Sequence, residues 1–94
     1  MKLWVDDLRP PPDDTWVWSK TSQNAIDTLM LAGLGEITEI SLDHDLGGDD
    51  TTRPVVLWMC EHNRWPENVG IHTANPVGRE WLAGMVARYK PDES

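Results

Sequence analysis

The sequence predicts an α/β domain built on a mostly parallel four-stranded sheet. Three observations predict it. Short apolar runs alternate with segments of helical hydrophobic period, the alternation that builds a parallel sheet with crossovers. Turn and cap signals separate them. Two of the runs, Lys2-Leu3-Trp4-Val5 and Glu39-Ile40-Ser41-Leu42, stop abruptly in carboxylates, Asp6-Asp7 and Asp43-His44-Asp45. Open α/β sheets bind ligands at the carboxyl ends of their strands.

Lys2 to Val5 reads as a short buried strand. Pro10, Pro11 and Pro12 then exclude a helix, because proline fixes φ and removes a donor. Thr15 to Trp18 has strand composition, with Trp16 and Trp18 on one face. That pair reads as core or edge cover rather than as a base-stacking platform. Ser22 is a candidate N-cap for a helix in which Ala25, Ile26, Leu29, Met30 and Leu34 follow the helical period. Gly33 and Gly35 end it. Ile37 to Leu42 is the third strand, and Gly47 to Arg53 reads as a mobile polar loop. Pro54 suits the first position of a helix reaching about Asn63, broken by Trp65-Pro66. Val69 to Thr73 is the fourth strand. Asn75 caps and Pro76 opens the last helix, with Trp81, Leu82, Met85, Val86 and Tyr89 on one side. Residues 1–90 read as one domain and 91–94 as a frayed polar tail. The first crossover is unusual: a parallel return takes about a dozen residues and usually a helix, and here a proline-rich loop must make it.

The 94 residues suffice for one core and not two. A hydrophobic fraction of 39%, with six Trp, is globular rather than disordered. The net charge of −8, with only 8 basic residues, excludes an extended nucleic-acid track. It leaves open a nucleotide or a nucleic-acid end held through metal and phosphate. Cys60 is the only cysteine, so no internal disulfide forms, and it reads as a small core residue. No apolar stretch approaches membrane-spanning length, and the first residues read as a strand rather than a signal peptide. A soluble, cytoplasmic protein is expected.

The acidic strand ends carry the functional argument. Asp6, Asp7, Asp43 and Asp45, with His44, aim carboxylates and an imidazole at one crevice. Like charges so close repel, and a divalent cation is the simplest way to hold them. Oxygen ligands of this kind favour Mg²⁺ (or Mn²⁺), which takes substrate phosphates as further ligands. His72 ends the fourth strand beside Thr73, near the N-terminus of the last helix, where free N–H groups favour phosphate. It reads as a candidate acid or base, or else as a core-facing histidine. Its replacement by Ala is expected to abolish turnover with metal affinity nearly intact. Strand alternation sends Asp43 and Asp45 one way and His44 the other, so His44 reads either as catalytic or as a structural hydrogen-bonding residue. Asn75 is a cap first and a substrate contact second. Gly78 either admits a phosphate or eases packing. Arg9 either pairs with phosphate or with surplus surface acids. Asp13, Asp14, Asp49 and Asp50 read as loop solvation, and Trp58 and Trp81 as core.

Three motifs carry a family resemblance: Asp6-Asp7-Leu8-Arg9-Pro10-Pro11, Leu42-Asp43-His44-Asp45-Leu46-Gly47 and His72-Thr73-Ala74-Asn75-Pro76-Val77-Gly78. From about Met1 to Tyr89 the chain resembles the cyclic-phosphate-processing receiver-like domain of the response-regulator receiver superfamily. The resemblance implies a small three-layer receiver/flavodoxin-like fold with strand order 2-1-3-4, the first helix replaced by the proline loop and the fifth strand missing. It implies that Asp6 and Asp7 bind Mg²⁺, that Asp43 stands at the phosphoacceptor position, that Asp45 adds a metal ligand and that Thr73 contacts phosphoryl oxygens. The missing strand takes with it the lysine that clamps the phosphoryl group in receivers, and His44 and His72 have no counterpart there. These departures speak against a phosphorelay. They agree with a subgroup proposed to act on cyclic phosphates, such as those at damaged RNA ends, with similar domains in phage and bacterial conflict systems.

The expected function is therefore a metal-dependent phosphoesterase acting on a cyclic phosphate: an RNA end, a cyclic nucleotide or a small metabolite. Asp43, His72 and His44 are its catalytic candidates, Arg9, Thr73, Asn75 and Gly78 its phosphate ligands, and Asp6, Asp7, Asp43 and Asp45 its metal ligands. The alternative is a non-enzymatic interaction module or acidic decoy for a protein partner. A fourth-strand edge left open by the missing fifth suggests a homodimer, unless the last helix covers it. A true phosphoacceptor receiver is the third reading.

Overall fold

The computed structural model describes residues 1–33 and 35–91. In chain order its elements are β1 (Lys2–Val5), β2 (Trp16–Ser19), α1 (Ser22–Leu31), β3 (Glu39–Leu42), α2 (Arg53–His62), β4 (Asn68–Ile71) and α3 (Pro76–Tyr89). The sheet order is β2-β1-β3-β4 and every pairing is parallel. No helix is long and apolar enough to cross a membrane among the described residues.

Leu3, Val5, Ile40 and Leu42 are fully buried on one face of the sheet. They pack with Ala25 and Leu29 of α1, Val55, Val56 and Met59 of α2, and Leu82 of α3. All three helices therefore cover the same face. Burying each such side chain stabilises the fold by about 1.5–3 kcal/mol. Alternation and register put Trp4, Trp16, Trp18 and Ser41 on the other face. There Trp4 meets Trp16 edge-on at 5.6 Å, and its indole donates to the Arg9 carbonyl at 2.8 Å. The third layer expected on that face is thus reduced to the proline loop.

Several local expectations need correction. Thr21, not Ser22, caps α1: its hydroxyl accepts from Asn24 N at 3.0 Å. Ser22 is the first helical residue because Asp50 holds it, accepting from its backbone N–H at 2.9 Å and from its hydroxyl. Asp50 is therefore an anchor, not loop solvation. The segment from Gly47 to Thr52 is closed rather than loose: Leu46 N donates to Asp50 O, Asp50 N to Gly47 O and Thr52 N to His44 O. Gly47 and Gly48 supply its positive φ angles, 87° and 55°. Helix α1 stops at Leu31, before Gly33. Met30 is 55% exposed and Tyr89 46%, so both leave the core stripe their helical periods suggested. Trp58 and Trp81 are half-buried and pack against the core's edge. Strand β3 starts two residues late and β4 ends at Ile71, leaving His72 and Thr73 beyond the strand. Leu34 of the expected helix and residues 92–94 of the expected tail lie outside the described residues.

Candidate functional site

The chain leaves β1 for the edge strand β2 on one side and β3 for β4 on the other, so the sheet's switch point lies between β1 and β3. Asp6 and Asp7 follow β1 directly, and Asp43 follows β3. Asp43 N donates to Val5 O, and His72 N to Leu42 O, each at 2.9 Å, which keeps the three strand ends level. One carboxylate oxygen from each of Asp6, Asp7 and Asp43 lies within 4.8 Å of the others. They open onto a crevice of about 550 Å³ whose wall also carries Arg9, Asp45, Thr73 and Asn75, and neither His44 nor His72.

Asp6 is the buried member, 3% exposed. Its Oδ1 accepts from Leu8 N and Arg9 N, both at 2.9 Å, and its Oδ2 faces His72 Nε2 at 2.9 Å. Burial alone would raise its carboxyl. The donors at Arg9, Leu8 and His72 outweigh that and hold it below its ordinary value. An ionised Asp6 can only accept, so His72 Nε2 carries a proton and donates it to Asp6, while Nδ1 shares a hydrogen bond with the Ser41 hydroxyl, 2.8 Å away. The His72 ring stacks on Trp4, centroids 3.9 Å apart and planes 6° from parallel. His72 therefore stands behind Asp6, with both ring nitrogens engaged.

Asp7 presses close to Gly47: a Cβ there would sit 3.1 Å from Asp7 Oδ2. Asp43 Oδ1 accepts from His44 N at 2.8 Å. His44 is buried away from the crevice. Its Nε2 accepts from Arg53 Nε at 3.0 Å, so Nδ1 holds the proton and donates to Asp45 Oδ1 at 3.0 Å. Arg53 in turn lies over the Trp81 ring. Asn75 Nδ2 donates to Asp45 Oδ2 at 3.1 Å. The bonds from Asn75 and His44 hold the Asp45 carboxyl below its ordinary value. They also draw it to the crevice rim, so the expected four-carboxylate cluster becomes three carboxylates with Asp45 at the edge.

Asn75 caps α3, its Oδ1 accepting from Val77 N and Gly78 N at 3.1 Å. Gly78 is buried, and a Cβ there would lie 2.4 Å from His44 Cγ. With its N–H used by the cap, Gly78 serves the packing of His44 rather than a phosphate. Thr73 is buried at the crevice wall, and its Oγ1 accepts from Asn75 N at 3.1 Å, leaving the hydroxyl proton for an acceptor in the crevice. Arg79 donates to the Thr73 carbonyl at 2.7 Å and fixes this turn. Arg9 is exposed at the rim, and its guanidinium has no partner among the described residues.

Sequence reasoning missed Ser41, Arg53 and the Trp4 stack. The lone hydroxyl between the apolar Ile40 and Leu42, two residues before Asp43, was a signal for Ser41. Nothing local marks Arg53, whose partner is nine residues away.

An all-parallel sheet with clustered carboxylates at its switch point and a hydroxyl residue after the next strand defines a receiver-like domain. The chain belongs to the family of cyclic-phosphate processing receiver domains, whose sequence profile matches residues 1–88. No curated protein and no solved structure matches it significantly.

Proposed function

We propose that this domain is a metal-dependent phosphoesterase that opens a cyclic phosphodiester to a monoester. The convergence of Asp6, Asp7 and Asp43 within 4.8 Å, on a crevice that also carries Thr73 and Arg9, is the observation that supports it. Three hard oxygen donors with room beside them suit Mg²⁺ or Mn²⁺. When bound, the ion neutralises the carboxylates and polarises a phosphoryl oxygen. Metal-free, the same carboxylates repel phosphate, so phosphate binding depends on the cation.

Asp6, Asp7 and Asp43 hold the ion, while Asp45, tied to His44 and Asn75, shapes the rim. Thr73 donates its hydroxyl to a phosphoryl oxygen, and Arg9 pairs with another. A water oxygen bonds to phosphorus, one ring P–O bond breaks, and the proton the water loses passes by way of Asp43 to the departing oxygen. Asp43 is the crevice carboxylate that takes the water's proton. His72 is a positioning residue: its hydrogen bond aims the Asp6 carboxylate, as hydrogen-bond partners of ligating carboxylates do.

Incubation in Mg²⁺ with a nucleoside 2′,3′-cyclic phosphate, a 3′,5′-cyclic nucleotide and a polyol cyclic phosphate, followed by phosphorus NMR, tests the reading. At least one should open to a monoester, with no product in chelator or with Asp43→Asn. Failure to open any of them, with Mg²⁺ bound, would overturn it.

A further inference from the structure

We infer that Trp18, Lys20, Thr21 and Asn24 form a subsite for the nucleobase of a nucleotide whose phosphate enters the acidic crevice. The inference rests on the phosphate-site reading above and narrows its substrate class. Trp18 lies on edge strand β2, on the face without helices, and is half-buried. With the other three residues it lines a groove of about 320 Å³, within the range of small-ligand sites. Its indole Nε1 donates to the backbone carbonyl of Asp6 at 2.7 Å. One edge of the ring is thus fastened to the residue that supplies a crevice carboxylate.

The remaining groups suit a base. The Lys20 ammonium, on an exposed residue, lies 4.4 Å from the Trp18 ring centroid, so a base stacking on this face would displace it from the ring. The Asn24 carboxamide has no hydrogen-bond partner among the described residues and offers both a donor and an acceptor to a base edge. Thr21 Oγ1 accepts from Asn24 N and keeps its proton to donate. Trp16, packed edge-on against Trp4 and beneath Lys2, lines no part of the groove, so the subsite takes one base rather than a strand. A polyol phosphate would leave the groove empty.

Titration calorimetry with the stable product monoesters in saturating Mg²⁺ tests this, using adenosine 3′-monophosphate against glycerol 2-phosphate. The nucleotide should bind about tenfold or more tighter, the scale of one base–aromatic stack. Trp18→Phe and Trp18→Leu both lose the indole N–H, so their difference isolates the aromatic face. The Phe variant should keep most of the advantage and the Leu variant should lose it, with glycerol phosphate affinity alike in both. Equal affinities in the wild type, or an undiminished advantage in the Leu variant, would overturn the base subsite and leave the phosphate site standing. Failure of both monoesters to bind the Mg²⁺-loaded protein would overturn the two together. A dinucleotide ending in the same 3′-phosphate separates the sources: equal binding identifies an RNA end, rejection a free nucleotide, and either supports the subsite.

Discussion

Asp6 carries three hydrogen bonds on two carboxylate oxygens, and one of them comes from a histidine fixed on its far side by Ser41 and from above by Trp4. Removing the His72 ring leaves Oδ2 unheld. His72→Ala should therefore weaken Mn²⁺ binding by about tenfold or more, measured by calorimetry, and turnover should fall with it. Unchanged metal affinity with lost turnover would instead make His72 the proton carrier that the sequence alone suggests. Gly78 gives a second test at this scale. Gly78→Ala forces a methyl into the His44 ring and should cost about 1–3 kcal/mol in urea unfolding. Gly84→Ala, in the same helix with nothing within 4 Å, should be neutral or stabilise by up to about 1 kcal/mol. The strand-end carboxylates were legible because an apolar run that stops in Asp-Asp is a local pattern. The tautomers of His44 and His72 were not, because each is set by a group from another element: Arg53 for one, Asp6 for the other.

The elements follow from period, composition and punctuation, and all seven were legible in order. Their ends were less so. Helix α1 begins one residue earlier in its cap than expected because an acid 28 residues away, Asp50, takes the Ser22 N–H and hydroxyl. That anchor also ties the segment after β3 to the start of α1, and so braces one side of the crevice. Asp50→Ala should cost about 1 kcal/mol of stability, the scale of a lost helix cap, and should loosen hydrogen-exchange protection in the first turn of α1. Protection unchanged there would mean that Thr21 alone suffices to start the helix.

At the scale of the whole molecule, three helices gather on one face of the sheet, and the other carries the proline loop and a tryptophan cluster. The replacement of the first helix by the proline loop was legible, but sequence periodicity shows which residues of a helix are apolar and not which face of the sheet receives them, so a third layer was still expected. The switch-point crevice was legible, since it depends only on which strands end in acids and which of them are neighbours. A net charge of −8 leaves the three clustered carboxylates little help from the surface, and a bound cation is what makes the crevice hospitable to phosphate. The most direct test is calorimetric titration of Mn²⁺ and Mg²⁺ into the wild type and an Asp6→Asn, Asp43→Asn double variant, each checked for folding by circular dichroism. Saturable binding at one site in the wild type, lost in a folded double variant, is the predicted result. No binding in the wild type, or equal binding in both, would contradict the account.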